Sequence, residues 1–167
     1  MLKGIHSVES SGAPVGDNLI VSLISHGRYA EAYTLLSRVN NVNVPTLYNI
    51  ALCCIFAGEY TEALIKIDKA ISMGGFQLTN PLADRGRVMS AIEARQNEDH
   101  THTTPISQEY IEAFPDRVRD NLLRLKIDCH ALLGQWGEVI RTASPIINKN
   151  FKNVENALAQ VESPILP

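Results

Sequence analysis

A six-residue pattern occurs three times along the chain: Gly27-Arg28-Tyr29-Ala30-Glu31-Ala32, Gly58-Glu59-Tyr60-Thr61-Glu62-Ala63 and Gly134-Gln135-Trp136-Gly137-Glu138-Val139. Each copy follows one apolar helical stretch and opens another. Glycine reaches the left-handed backbone that ends a helix without a Cβ penalty. The six residues therefore combine a helix stop with a helix start. Recurrence of such a unit predicts an all-α solenoid of stacked helical hairpins, an architecture that generally presents binding surfaces.

The apolar periodicity places helices around these stops. The first two are expected over about 17–25 and 29–39. The third, over 45–57, begins at Pro45, which suits a first helical turn. This helix is apolar almost all round, with Leu47, Ile50, Ala51 and Cys54 on one stripe and Tyr48, Leu52, Ile55 and Phe56 on another. Such a helix has to be covered on two sides. A fourth helix fits 60–72. A fifth is expected from the Asn80-Pro81 start to about Gln96, carrying Leu82, Val88, Met89 and Ile92. The polar, turn-rich stretch 97–104 reads as an exposed loop. A short helix over 106–114 is closed by Pro115. The seventh and longest, over 116–133, has one stripe of Val118, Leu122, Leu125, Cys129 and Leu132 and a second of Leu123 and Ile127. The eighth, 136–148, is interrupted by Pro145. An amphipathic segment over 153–161 suits a terminal cap. One domain is expected over 15–162, with a flexible lead at 1–14 and a frayed tail at 163–167.

A net charge of −3 disfavours nucleic-acid binding by bulk electrostatics, and an aromatic content of 6 % leaves no obvious platform for stacking bases. The first fourteen residues carry one lysine and no continuous apolar run, so no signal peptide is expected. The longest apolar run, residues 50–57, is too short to insert into a membrane. Cys53, Cys54 and Cys129 read as reduced, small apolar residues in helices, which predicts a cytoplasmic chain.

The glycines of the first two copies are 31 residues apart, and those of the second and third 76, or two periods of 38. A hairpin period near 34 is that of the tetratricopeptide repeat. Leu47, Ile50, Ala51, Cys54, Gly58, Tyr60, Ala63, Ile67 and Ala70 match that pattern. Leu19, Ile20, Leu23, Gly27, Tyr29, Ala32 and Leu36 form a second match, and Leu123, Ile127, Gly134, Trp136 and Val139 a looser third. The chain thus resembles the tetratricopeptide (TPR-like) helical-repeat superfamily over about 15–75 and 116–148. The resemblance implies a superhelix of about four hairpins, the third degenerate and built from the fifth and sixth helices. It implies that first helices line a concave groove, placing Val21, Tyr48, Asn49, Leu52, Phe56, Arg124 and Asp128 there. A partner peptide or helix would bind in that groove, as in an adaptor, a scaffold or a chaperone-like protein. The carboxylate clamp of chaperone-tail cochaperones does not carry over. Asn49 matches it, but Asp17 and Val21 stand where Lys and Asn belong.

No phosphate loop, nucleophile elbow or metalloprotease motif occurs, and no cofactor is expected. His100 and His102 lie among carboxylates and offer one metal-site reading, weighed against a plain polar loop. Asp120, Arg124 and Asp128 recur at four-residue spacing as a possible exposed ion-pair ladder. Arg85, Arg87, Arg117 and Arg119 form a possible basic patch. The reading that follows is a non-enzymatic interaction module. Its alternatives are a self-associating structural adaptor and a small metal-dependent enzyme using the 97–104 loop.

Overall fold

The computed structural model describes residues 16–76 and 86–162, and among them every regular element is helical. The helices are α1 (Asp17–Ser25), α2 (Tyr29–Leu36), α3 (Val44–Phe56), α4 (Tyr60–Gly74), α5 (Gly86–Asn97), α6 (Gln108–Ala113), α7 (Pro115–Leu132), α8 (Trp136–Ala143) and α9 (Lys152–Glu162). Short 3-10 turns lie at Thr101–Thr103 and Ser144–Lys149. The expected lead and tail lie outside the described residues, as does the Asn80-Pro81 start with Leu82.

The three sequence copies fold into three matching turns. Gly27, Gly58 and Gly134 have φ of 73°, 79° and 67°. After each, the next residue donates its N–H five residues back, from Arg28 to Leu23, Glu59 to Cys54 and Gln135 to His130. That bond satisfies a carbonyl of the last helical turn. The same three residues then cap the following helix with nearly identical backbone, φ −88°, −87° and −88° with ψ 59°, 63° and 64°. The small position of each copy, Ala32, Ala63 and Val139, is fully buried where the two helices of a hairpin meet. At the start of α3, the Asn43 side chain accepts the Thr46 N–H at 3.0 Å, and Pro45 fills a first-turn position.

Helices pack in order: α1 on α2, α2 on α3, α3 on α4, α4 on α7 and α7 on α8, with α9 against both α7 and α8. The direct packing of α4 on α7 corrects the expected third hairpin. Helices α5 and α6 do not form a layer between the second unit and the last. Neither has a buried residue, and α6 is only 6 residues long. The apolar residues of α5, Val88, Met89 and Ile92, are exposed and not packed into the row. Three hairpins with a capping helix result.

Helix α7 serves two cores with its two stripes. Val118, Leu122, Leu125 and Cys129 join the core of α1 to α4. Ile127 and Leu123 face Val139, Ile146, Phe151 and Val154 in the terminal core. Leu132, expected on the first stripe, is exposed at the helix end. Pro145 does end α8, and the chain continues as the 3-10 turn. Cys53, Cys54 and Cys129 are free and buried; burial raises all three thiols, Cys53 to about 11 and Cys129 to about 12.

Candidate functional site

The first helices of the three hairpins, α1, α3 and α7, present polar side chains to one face, and residues 98–107 cross that face. The segment leaves α5, makes the 3-10 turn at Thr101–Thr103 and runs extended to the Ser107 cap of α6. It is held mainly through its backbone. The Tyr48 hydroxyl donates to the His102 carbonyl at 2.5 Å. The Asn49 amide donates to the Ile106 carbonyl at 2.8 Å and accepts the Ile106 N–H at 3.0 Å. From α7, Arg124 donates to the Asp99 carbonyl at 2.8 Å and the Thr101 hydroxyl at 3.2 Å. From α1, Asp17 accepts the Gln108 N–H at 3.1 Å. Two side chains of the segment are buried, His102 and Ile106, while Asp99, His100, Thr101, Thr103 and Thr104 remain exposed.

His102 anchors the segment to α7. Its Nε2 lies 2.6 Å from Asp128 Oδ2, while Nδ1 is buried with no partner. In the neutral ring Nε2–H donates to the carboxylate. A second proton would place a buried N–H opposite nothing, and burial accordingly lowers the imidazole below its ordinary value against the pull of Asp128. The other Asp128 oxygen accepts from Asn153 of α9 at 2.9 Å, and Asn153 in turn accepts from Arg124 Nε at 2.8 Å. Arg124 also lies over the Phe151 ring, 4.5 Å from its centroid. Burial raises the Tyr48 phenol, which therefore keeps its proton and donates, and lowers the Arg124 guanidinium against the pull of Asp128.

Of the seven residues expected to line the groove, four hold this segment: Tyr48, Asn49, Arg124 and Asp128. Tyr48 is wholly buried and Leu52 is 4 % exposed, so neither is free surface. Val21 is half-buried on α1. Phe56 points elsewhere. It is 67 % exposed and stacks on Tyr29 at 4.0 Å, beside the first repeat turn. On α3, residues 98–107 lie against Tyr48 and Asn49.

Three further expectations meet the structure differently. The 97–104 stretch is exposed as expected at 98–101, 103 and 104, but His102 is buried against Asp128. The Asp120, Arg124 and Asp128 series is not an exposed ladder: Arg124 is 1 % exposed, and Asp120 pairs with Lys149 at 2.5 Å. Arg117 of the possible basic patch pairs with Glu93 at 2.8 Å, and Arg85 lies outside the described residues. Among the described residues no group of three or more His, Cys, Asp or Glu is placed to hold a metal ion, and no helix is long and apolar enough to cross a membrane.

Sequence reasoning missed Asp99, Thr101, Ile106 and Asn153. Ile106 had a signal, an isolated apolar residue ending a polar stretch just before the Ser107 cap. Asn153 had none, since nothing in a helical pattern marks which amide meets a buried guanidinium. The chain matches no protein-family profile, no curated protein and no solved structure.

Proposed function

We propose that this chain is a non-catalytic protein-interaction module of the tetratricopeptide type, which recognises extended peptide backbone on the face formed by its first helices. One observation carries this reading. The Asn49 side chain pairs with both the N–H and the carbonyl of Ile106, a contact that recognises main chain whatever the side chains on it. An amide presented at mid-helix, flanked by a phenol donor and a guanidinium donor, is suited to a segment whose backbone makes no ladder of its own. Specificity would come from the two side-chain sites now filled by His102 and Ile106.

The test is selection of short random peptides from a displayed library, run against the full chain and against an Ile106→Asp full chain. Enriched peptides should lose at least about tenfold in affinity on Asn49→Ala, the loss expected when a central buried anchor is truncated. If no peptide binds a folded chain in an Asn49-dependent way, the interaction reading fails.

A further inference from the structure

Resting on the interaction reading, we infer that residues 98–107 are a resident occupant of the recognition face, and that a protein partner docks by replacing them with an extended segment of the same chemistry. That segment carries a hydrogen-bonding ring such as imidazole, followed four residues later by a branched aliphatic side chain.

The connectivity supports release. Helix α4 packs directly on α7, so the row of hairpins closes without residues 98–107. The elements on either side of the segment, α5 and α6, have no fully buried residue, and only Tyr110 and Ile111 of α6 pack partly against the main core. The segment itself contributes two buried side chains and is otherwise held by hydrogen bonds, to its main chain and to the Thr101 hydroxyl. Departure therefore dismantles no hairpin.

Departure does uncover polar groups. The Tyr48 hydroxyl, the Asn49 amide, part of Arg124 and one Asp128 oxygen would lose the partners that satisfy them. Buried polar groups are costly when unpaired, so an empty face is unfavourable and exchange for a matching chain is favoured. The imprint left by the segment specifies the replacement. It must offer a carbonyl to Tyr48, an N–H and a carbonyl on one residue to Asn49, and carbonyl or hydroxyl oxygen to Arg124. It must also bring a ring N–H to Asp128 and a side chain the size of isoleucine to the site of Ile106, which is 3 % exposed. A helical ligand cannot meet the Asn49 requirement, because its backbone N–H and carbonyl are already paired.

The probe is a capped synthetic peptide with the sequence of residues 97–108, labelled for anisotropy and titrated into the full chain. The Ile106→Asp full chain, in which the resident segment is weakened and the receiving side chains are intact, should bind it at least tenfold more tightly than the unaltered chain. Adding Asn49→Ala should abolish that gain, and a peptide carrying the His102→Ala and Ile106→Asp changes should not bind. In the unaltered chain, the Ile106 amide should exchange with solvent at least a hundredfold faster than the Leu122 amide of α7, since the segment opens without global unfolding. Equal peptide affinity for both chains overturns the inference while leaving the interaction reading in place, provided library peptides still depend on Asn49. Exchange of Ile106 and Leu122 at one common rate overturns it in the unaltered chain, whether or not the Asp variant folds. A dimer of the unaltered chain that trades these segments, seen by light scattering, assigns the face to a second copy and overturns the partner.

Discussion

Helices α3 and α5 are nearly equal in length, 13 and 12 residues, and both carry apolar side chains at helical spacing, yet nine residues of α3 are buried and none of α5. Helix α3 has α2 and α4 on its sides and residues 98–107 across its remaining face. Helix α5 turns Glu93 towards Arg117, and Asn97 donates to the Lys149 carbonyl at 2.7 Å. Its apolar residues are exposed, Val88 at 74 %, Met89 at 49 % and Ile92 at 48 %. Periodicity thus identifies a helix and its stripe, but whether the stripe is core depends on what the rest of the chain lays against it.

The largest effect that tests this contrast is in α3. Leu47 is 2 % exposed and lies in the main core. Leu47→Ala should cost about 2–5 kcal/mol, the range for cavity-forming truncations of buried leucine, read as a lower urea midpoint. A loss under about 1 kcal/mol would place α3 in the ordinary surface class and remove the contrast with α5.

Next comes the polar cover of α3. Asn49→Ala leaves the Ile106 N–H and carbonyl without their partner, and should cost about 1–3 kcal/mol. The Ile106 amide should lose its protection from exchange at the same time, while amides of α7 shift only with the global change. Uniform loss of protection would mean that residues 98–107 and the hairpins unfold together.

The hairpins were legible in the sequence because local chemistry and packing agree there. Gly27, Gly58 and Gly134 meet a local demand for positive φ, and Ala32, Ala63 and Val139 meet a contact within the same hairpin. The two stripes of α7 were legible for the same reason. The crossing segment was not. Asp99 to Ile106 is polar, and its pairing with Tyr48 and Asn49 spans 54 and 57 positions. No periodic signal reports a hydrogen bond between a side chain and a distant carbonyl. Asp120, Arg124 and Asp128 show the reverse error. Their spacing is that of a surface ladder, and residues 98–107, Phe151 and Asn153 of α9 make Arg124 an interior residue. A matching interval also misled: 76 residues fit two repeat periods, yet α5 and α6 lack the buried face that a repeat requires.

A smaller effect concerns pH and the anchor at His102. The groups facing this ring are Asp128, Arg124 and His100, the first raising and the other two lowering its proton affinity, with burial the largest influence and downward. The folded imidazole therefore binds a proton less readily than the unfolded one. The unfolded chain holds more protons below about pH 6.5, so this group's contribution to stability is full above that pH and declines as pH falls towards the depressed folded value. Denaturation midpoints measured from pH 7 to pH 5 should fall, and should fall less in His102→Gln, which keeps an N–H donor but does not titrate. A steeper fall in the variant would mean that Asp128 outweighs burial and that the ring is charged in the fold.

The smallest expected effect is on α5, and it decides whether the opening contrast holds in solution. Ile92 is already half in water, so replacing it with serine removes little buried area. Ile92→Ser should change stability by no more than about 0.5 kcal/mol in either direction, as for surface positions generally. Arg117→Ala is the matched control on the tethered side of α5, because it removes the Arg117–Glu93 pair without touching the apolar face. A loss of more than about 1 kcal/mol for Ile92→Ser would class the position with buried side chains, whose truncation removes contact as well as hydration. Helix α5 would then be covered in solution as α3 is, and the two helices would differ only in what covers them. A neutral result keeps Val88, Met89 and Ile92 as an apolar surface that the described chain leaves in water, the kind of surface that marks a contact site.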